Sequence, residues 1–180
     1  STPWKGLASG IEKHVLYRYG CIELLDCPQC RCAAGGAAKA VAYALIQLGV
    51  ESIKIKNRSR EPKAALEQWI YNQGIKTAGN REYNIIINCT PIGMWPKVNE
   101  SPYDLDKVLK SQIFIDTIYN PLETKTLRYL KRKDLKVFNG LDMFIYQGQK
   151  AFYLWNKVNP EIDQKLIELL LTKLKWKKLV

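Results

Sequence analysis

The sequence predicts an α/β fold, a parallel sheet with helices on both faces followed by C-terminal helices. Three observations predict it. Short β-branched runs alternate with longer helical stretches along most of the chain. Asn84-Ile85-Ile86-Ile87-Asn88-Cys89 is a continuous apolar run, of the kind that a parallel sheet buries on both faces. The order strand, helix, strand, helix, strand is the one that right-handed crossovers require.

Each element follows from local pattern. Gly36 to Gly49 reads as a helix with Val41, Leu45 and Leu48 on one face. Ser52 to Lys56 alternates like a strand, and Pro62 to Asn72 is helical, with Pro62 suited to a first turn. Ile113-Phe114-Ile115-Asp116 is a further strand, Thr124 to Lys133 a helix, and Lys136-Val137-Phe138 a last short strand. Two helices close the chain, near Leu141 to Trp155 and Pro160 to Leu174; in the second, Ile162, Leu166, Leu169 and Leu170 recur at helical spacing. No internal repeat, low-complexity tract or long linker divides the chain, so residues 1–180 read as one domain.

Composition narrows the function classes. A hydrophobic fraction of 47% with 25% charged residues excludes a disordered chain. No apolar run approaches the roughly 18–20 residues of a membrane span, so no membrane partner is expected. Ser1-Thr2-Pro3-Trp4-Lys5-Gly6 carries neither an initiator Met nor a secretory signal pattern; the start reads as a cut or processed end and the location as cytoplasmic. The net charge of +11 admits nucleic acid, a membrane surface or a phosphorylated small ligand. Lys173, Lys175, Lys177 and Lys178 complement the dipole at a helix end. Aromatic residues do not interleave with basic ones as base stacking requires, so no nucleic-acid partner is expected. Cys27-Pro28-Gln29-Cys30 could be half of a zinc knuckle, but a second well-spaced pair is absent and Cys32 crowds Cys30. Reduced thiols and no metal are the expectation.

Two turns carry the chemistry. Ala33-Ala34-Gly35-Gly36-Ala37-Ala38 leads straight into a helix. Glycine there lets backbone approach a pyrophosphate, and the helix end offers unpaired N–H groups, which makes the fold Rossmann-like. About twenty residues on, where an NAD enzyme places Asp or Glu against the ribose 2′-hydroxyl, stand Asn57-Arg58-Ser59-Arg60, then Lys63. A carboxylate would repel a 2′-phosphate, whereas guanidinium and hydroxyl groups bind one. The expected cofactor is NADP.

Four segments then resemble the shikimate dehydrogenase family. Asn57-Arg58-Ser59 is similar to its Asn-Arg-Thr/Ser turn. Thr90-Pro91-Ile92-Gly93-Met94 resembles its Thr-Pro-x-Gly-Met loop, and Asp116 to Thr124 its Asp-x-x-Tyr-x-Pro-x-x-Thr segment. Asn139-Gly140-Leu141-Asp142-Met143, with Tyr146-Gln147-Gly148 and Ala151-Phe152, is similar to its Gly-x-x-Met…Gln-Gly…Ala-Phe helix. The resemblance implies an NADP-dependent oxidoreductase of aromatic amino acid biosynthesis that interconverts 3-dehydroshikimate and shikimate. It implies that Ala33, Ala34, Gly35, Gly36 and Ala37 cradle the pyrophosphate. Asn57, Arg58, Ser59 and Lys63 would hold the 2′-phosphate, Lys63 standing one place from the family's basic position because of Pro62. Thr117 and Gly140 would lie beside the nicotinamide. Tyr119 and Gln147 would reach the substrate hydroxyls; as structural residues they would instead pack at the sheet edge and sit solvated on a helix.

The departures are as informative. The family's catalytic Lys lies in an amino-terminal substrate domain that this sequence does not match, and its catalytic Asp belongs to an Asn-Thr-Asp motif where this chain reads Ser1-Thr2-Pro3. Residues 1–20 read as a remnant of the helix that connects the two domains. Proline cannot exchange a proton, and His14, the only histidine, has no partner motif. No catalytic residue is therefore expected within this chain, which reads as the cofactor domain of a shikimate-dehydrogenase-type enzyme, inactive in isolation. A stand-alone NADP-binding remnant and a basic nucleic-acid-binding module are the alternatives weighed. The family's first strand falls at Cys27 to Ala33, where Pro28, Gln29 and Arg31 would forfeit a ladder bond and bury a charge. Either Ile22 to Leu25 is the strand, with a longer loop after it, or the stretch carries a short frame slip; codons for Asp26 to Cys30 read one base later permit Ile-Val-Leu-Asn-Val. On this reading Cys27 to Ala34 is irregular and the first strand the weakest part of the fold.

Overall fold

Strands β1 (Cys21–Leu25), β2 (Ser52–Lys56), β3 (Lys76–Thr77), β4 (Ile85–Asn88), β5 (Ile113–Asp116) and β6 (Lys136–Phe138) form one sheet in the order β3-β2-β1-β4-β5-β6. All five pairings are parallel. The computed structural model describes residues 21–25, 36–57, 59–77 and 83–176, and counts of elements are of these. The helices are α1 (Gly36–Gln47), α2 (Arg60–Asn72), α3 (Lys125–Arg132), α4 (Leu141–Asn156) and α5 (Gln164–Trp176), with a single 3-10 turn at Leu105–Lys107.

The alternation of strand side chains builds two cores. Ile22, Ile53, Ile85, Ile87, Ile113 and Ile115 face α1 and α2, where Val41, Leu45, Leu66 and Ile70 meet them. Ile86 and Phe114 face the other way, onto Leu127 and Leu130 of α3, with Leu135 and Tyr103 beside them. Each such side chain, taken wholly from water, contributes roughly 1.5–3 kcal/mol. The period-two split within Ile85-Ile86-Ile87 explains why that run is apolar throughout: both faces are covered.

The central strand is Cys21–Leu25, in register with Ser52 to Lys56 on one side and, from Ile22, with Ile85 to Asn88 on the other. Of the two alternatives for the first strand, the earlier apolar run fills the place, and the segment with Pro28, Gln29 and Arg31 lies outside the described residues. So do the cysteine cluster beyond β1 and the connecting-helix reading of residues 1–20. The strand still carries a charge. Glu23 is 2% exposed, and its Oε1 lies 3.6 Å from Lys54 Nζ, directly across on β2. Its Oε2 has no hydrogen-bond partner among the described residues. A charge without a partner in such a place would be expelled or neutralised; Lys54 across the strand and the Tyr103 hydroxyl beside the carboxylate make Glu23 tolerable there.

Element ends differ from the sequence reading where a polar side chain sets them. The last helix starts at Gln164 rather than Pro160, because the Asp163 carboxylate accepts from Leu166 N at 2.8 Å and caps it. Helix α2 starts at Arg60, two residues before Pro62. Proline is still within the first turn, whose N–H groups have no intrahelical acceptor to lose. The two-residue β3 carried too little sequence pattern to be read. No helix among the described residues is long and apolar enough to cross a membrane.

Candidate cofactor site

The strand order reverses between β1 and β4: β1 is followed in sequence by β2 on one side, and β4 by β5 on the other. In open parallel sheets, ligands bind at such a point, outside the carboxyl ends of the strands. Of the expected site residues, Asn57 follows β2, Thr117 follows β5 and Gly140 comes just after β6, all at carboxyl ends of strands. Gly36 and Ala37 open α1, and a Cβ at Gly36 would meet nothing within 4 Å among the described residues. Ala33, Ala34 and Gly35 lie outside the described residues.

Asn57 and Ser59 follow β2, whose last residue Lys56 pairs with Leu25 of β1. The turn therefore lies beside the end of β1. Asn57 Oδ1 accepts from Ser59 N at 2.9 Å, which folds the turn back on itself. Ser59 takes the N-cap position of α2 in extended conformation, yet its hydroxyl makes no capping bond. Lys63, in the first turn of α2, lies 3.6 Å from Glu67 one turn on. Arg58 lies outside the described residues.

On the far side of the reversal a dense hydrogen-bonded knot joins three strand and helix ends. Asn88, the last residue of β4, is 0% exposed. Its Oδ1 accepts from Thr90 N at 2.9 Å and Thr90 Oγ1 at 2.7 Å. Its Nδ2 donates to Asp116 Oδ1 at 3.0 Å and to Ile92 O at 3.3 Å. Asp116 closes β5 and also accepts from Ile118 N at 3.2 Å and from Thr124 Oγ1 at 2.9 Å. Burial pushes its carboxyl up to about 6, against those opposing hydrogen bonds. Thr124 caps α3 by accepting from Leu127 N.

Thr117 is fixed by the same knot. Its N and Oγ1 both donate to Asn88 O, at 3.0 and 2.8 Å. Gly140, at the start of α4, donates to Ile118 O at 2.9 Å. A Cβ on Gly140 would lie 2.0 Å from Thr117 O, so only glycine allows the approach. The structure thus brings together Thr117 and Gly140, the two residues expected beside the nicotinamide. Gly93, with φ +101°, makes the turn of the Thr-Pro-x-Gly-Met loop in a backbone region that other residues avoid. Tyr119 stacks on Phe144 of α4 with ring centroids 4.1 Å apart, so its ring is held against the helix that carries Gln147. Gln147 itself is exposed.

Asn88, Asp116 and Thr124 each fall within a sequence motif, but nothing in the motifs says that the three meet. The available signal was polarity at the ends of otherwise apolar strands, Ile-Ile-Ile-Asn and Ile-Phe-Ile-Asp. Buried polar residues there must find partners. No group of three or more His, Cys, Asp or Glu residues among the described ones could hold a metal ion.

No family model matches the chain. Curated relatives do. A shikimate dehydrogenase (NADP(+)) of Bacillus cereus strain AH187 is 36% identical over 139 residues, covering 73% of this chain and 50% of the relative. Among solved structures, a shikimate dehydrogenase in complex with NADP+ superposes with a TM-score of 0.75 at 33% identity, covering 97% of this chain and 61% of that one. The shikimate 5-dehydrogenase of Thermus thermophilus, in complex with NADP(H) and shikimate, superposes at 0.69 and 29% identity, covering 88% and 57%. The chain spans about half the length of the curated relatives it matches. By sequence and by fold, it belongs to the shikimate dehydrogenase family.

Proposed function

We propose that this chain is the NADP-binding domain of a shikimate-dehydrogenase-type oxidoreductase, which reduces 3-dehydroshikimate to shikimate with NADPH. The observation that carries the cofactor is the turn after β2, beside the end of β1. It offers Asn57, an N-cap hydroxyl on Ser59 not spent on its own helix, and the N-terminus of α2. None of Asn57, Arg58 and Ser59 is acidic. That set suits a 2′-phosphate and lacks the carboxylate a free 2′-hydroxyl would call for. The residues present fit the cofactor.

In this reading Ala33, Ala34, Gly35, Gly36 and Ala37 bear on the pyrophosphate through backbone N–H groups at the start of α1. Asn57, Arg58, Ser59 and Lys63 hold the 2′-phosphate. NADPH, when bound, supplies the hydride. Thr117 and Gly140 form the floor on the nicotinamide side, where the absence of a side chain at 140 keeps two backbones in contact. Tyr119, steadied by Phe144, and Gln147, projecting from α4, offer a hydroxyl and an amide to a polyhydroxylated substrate.

Reduction of a carbonyl also needs a proton for the developing alkoxide. None of the motif positions that this chain matches supplies the family's acid or base, so the 180-residue chain binds the cofactor but does not turn over alone. The proposed site of action is the cytoplasm. The test is to mix the purified chain with NADPH and 3-dehydroshikimate and follow NADPH absorbance, with cofactor binding measured in parallel. Binding without oxidation is expected. Turnover at the rate of a complete dehydrogenase would mean that the acid lies in this chain, and absence of binding would remove the cofactor assignment itself.

A further inference from the structure

The carboxylate of Asp116 is held by three donors from three places: the side chain of Asn88 at the end of β4, the backbone of Ile118 in the following loop, and the hydroxyl of Thr124 that caps α3. It is 0% exposed, and so is Thr124. With these bonds made, Asp116 presents nothing toward a ligand, which rules out a direct part in chemistry. The bonds instead bracket Thr117. One neighbour, Asp116, is tied to β4 and α3; the other, Ile118, is tied to the Asp116 carboxylate through its N and to Gly140 through its O.

We propose that Asp116 is a positioning residue for the nicotinamide end of the cofactor, acting by presetting the Thr117-to-Tyr119 loop against Asn88 and Gly140. The inference rests on the reading in the preceding subsection. An acceptor-only group is required at this point. Asn88 Nδ2 and Ile118 N both donate to Oδ1, so an amide nitrogen there would face two donors. At the Oδ2 place it would face the Thr124 hydroxyl, which already accepts from Leu127 N and would lose the acceptor for its own proton. Asp116→Asn is therefore nearly identical in shape but wrong in hydrogen bonding. A loop left without these ties must be ordered when the ligand binds, which lowers affinity only for ligands that use it.

The test compares two ligands on the 180-residue chain by calorimetric titration: NADP+, which reaches both ends of the site, and 2′,5′-ADP, which reaches only the adenosine end. Asp116→Asn should weaken NADP+ by about tenfold, the scale of one lost charge-assisted hydrogen bond, and leave 2′,5′-ADP unchanged. Thr124→Val, which removes one donor and keeps the carboxylate, should show the same selectivity to a smaller degree and stands in if Asp116→Asn does not fold. Equal weakening of both ligands would reduce Asp116 to a general support of the fold and overturn the proposal. So would an unchanged NADP+ affinity in the variants. A parent chain that does not bind 2′,5′-ADP at all would instead sink the cofactor reading, and this inference with it.

Discussion

Replacing Gly140 by alanine is the sharpest perturbation the fold offers. The added Cβ would lie 2.0 Å from the carbonyl oxygen of Thr117, 2.4 Å from its carbonyl carbon and 3.0 Å from its Cα. Carbon atoms rest at roughly 3.5–4.0 Å from their neighbours, so the two segments must part by more than an ångström. All three obstructing atoms are backbone, and that backbone is anchored: Thr117 donates twice to Asn88 O, and Gly140 donates to Ile118 O at 2.9 Å. Overpacking of this kind costs about 1–3 kcal/mol. Loss of the Gly140 bond adds about 1 kcal/mol. The expected loss is thus about 2–4 kcal/mol, a large part of the 5–15 kcal/mol typical of a domain. Urea unfolding followed by circular dichroism should show the midpoint falling by about 1–2 M, taking a slope near 2 kcal/mol per M. NADP+ affinity should fall too, because Thr117 moves with the segment. An alanine variant that unfolds at the parent's urea concentration and binds NADP+ equally well would refute this account of the α4 start.

Three further outcomes follow from the same geometry. Asp116 has its carboxyl raised by burial from 3.8 to about 6, so the folded state binds its proton more tightly than the unfolded chain does. The stability this lends is present in full below about pH 4 and lost as pH rises through about 6, by at most about 3 kcal/mol; urea titrations of parent and Asp116→Asn across that range should differ in slope, and parallel curves would contradict it. Lys54→Met leaves the buried Glu23 without its cation and should cost about 1–3 kcal/mol, less than a wholly buried pair would, because Lys54 is 35% exposed; an unchanged melting temperature would show that Glu23 does not depend on it. Arg58→Ala should narrow the preference for NADP+ over NAD+ by roughly ten- to a hundredfold, the scale of one guanidinium–phosphate contact, and an unaltered ratio of the two affinities would place the 2′-phosphate elsewhere.

The sheet was legible wherever burial forces an apolar run. Ile85-Ile86-Ile87 and Ile113-Phe114-Ile115 can hardly be anything but interior strands, and the structure covers both faces of each. The central strand was harder to read because the segment at the family's usual place is polar, and Cys21–Leu25 itself hides a glutamate whose partner, Lys54, lies thirty-one positions away in sequence. No local pattern reports a cross-strand pair of that kind. The expected site residues rest on motifs, and the close approach of Gly140 to Thr117 gives one of those motifs a physical cause. The meeting of Asn88, Asp116 and Thr124 was not legible, since three separated polar residues reveal a shared hydrogen-bond network only once the strand ends are placed side by side.

The measurement that bears most directly on the central claim is calorimetric titration of the chain with NADP+ and with NAD+ under one set of conditions. The turn after β2, with Asn57, Arg58 and Ser59 and no carboxylate among them, predicts that NADP+ binds more tightly by roughly tenfold or more. Equal affinities, or a preference for NAD+, would contradict it.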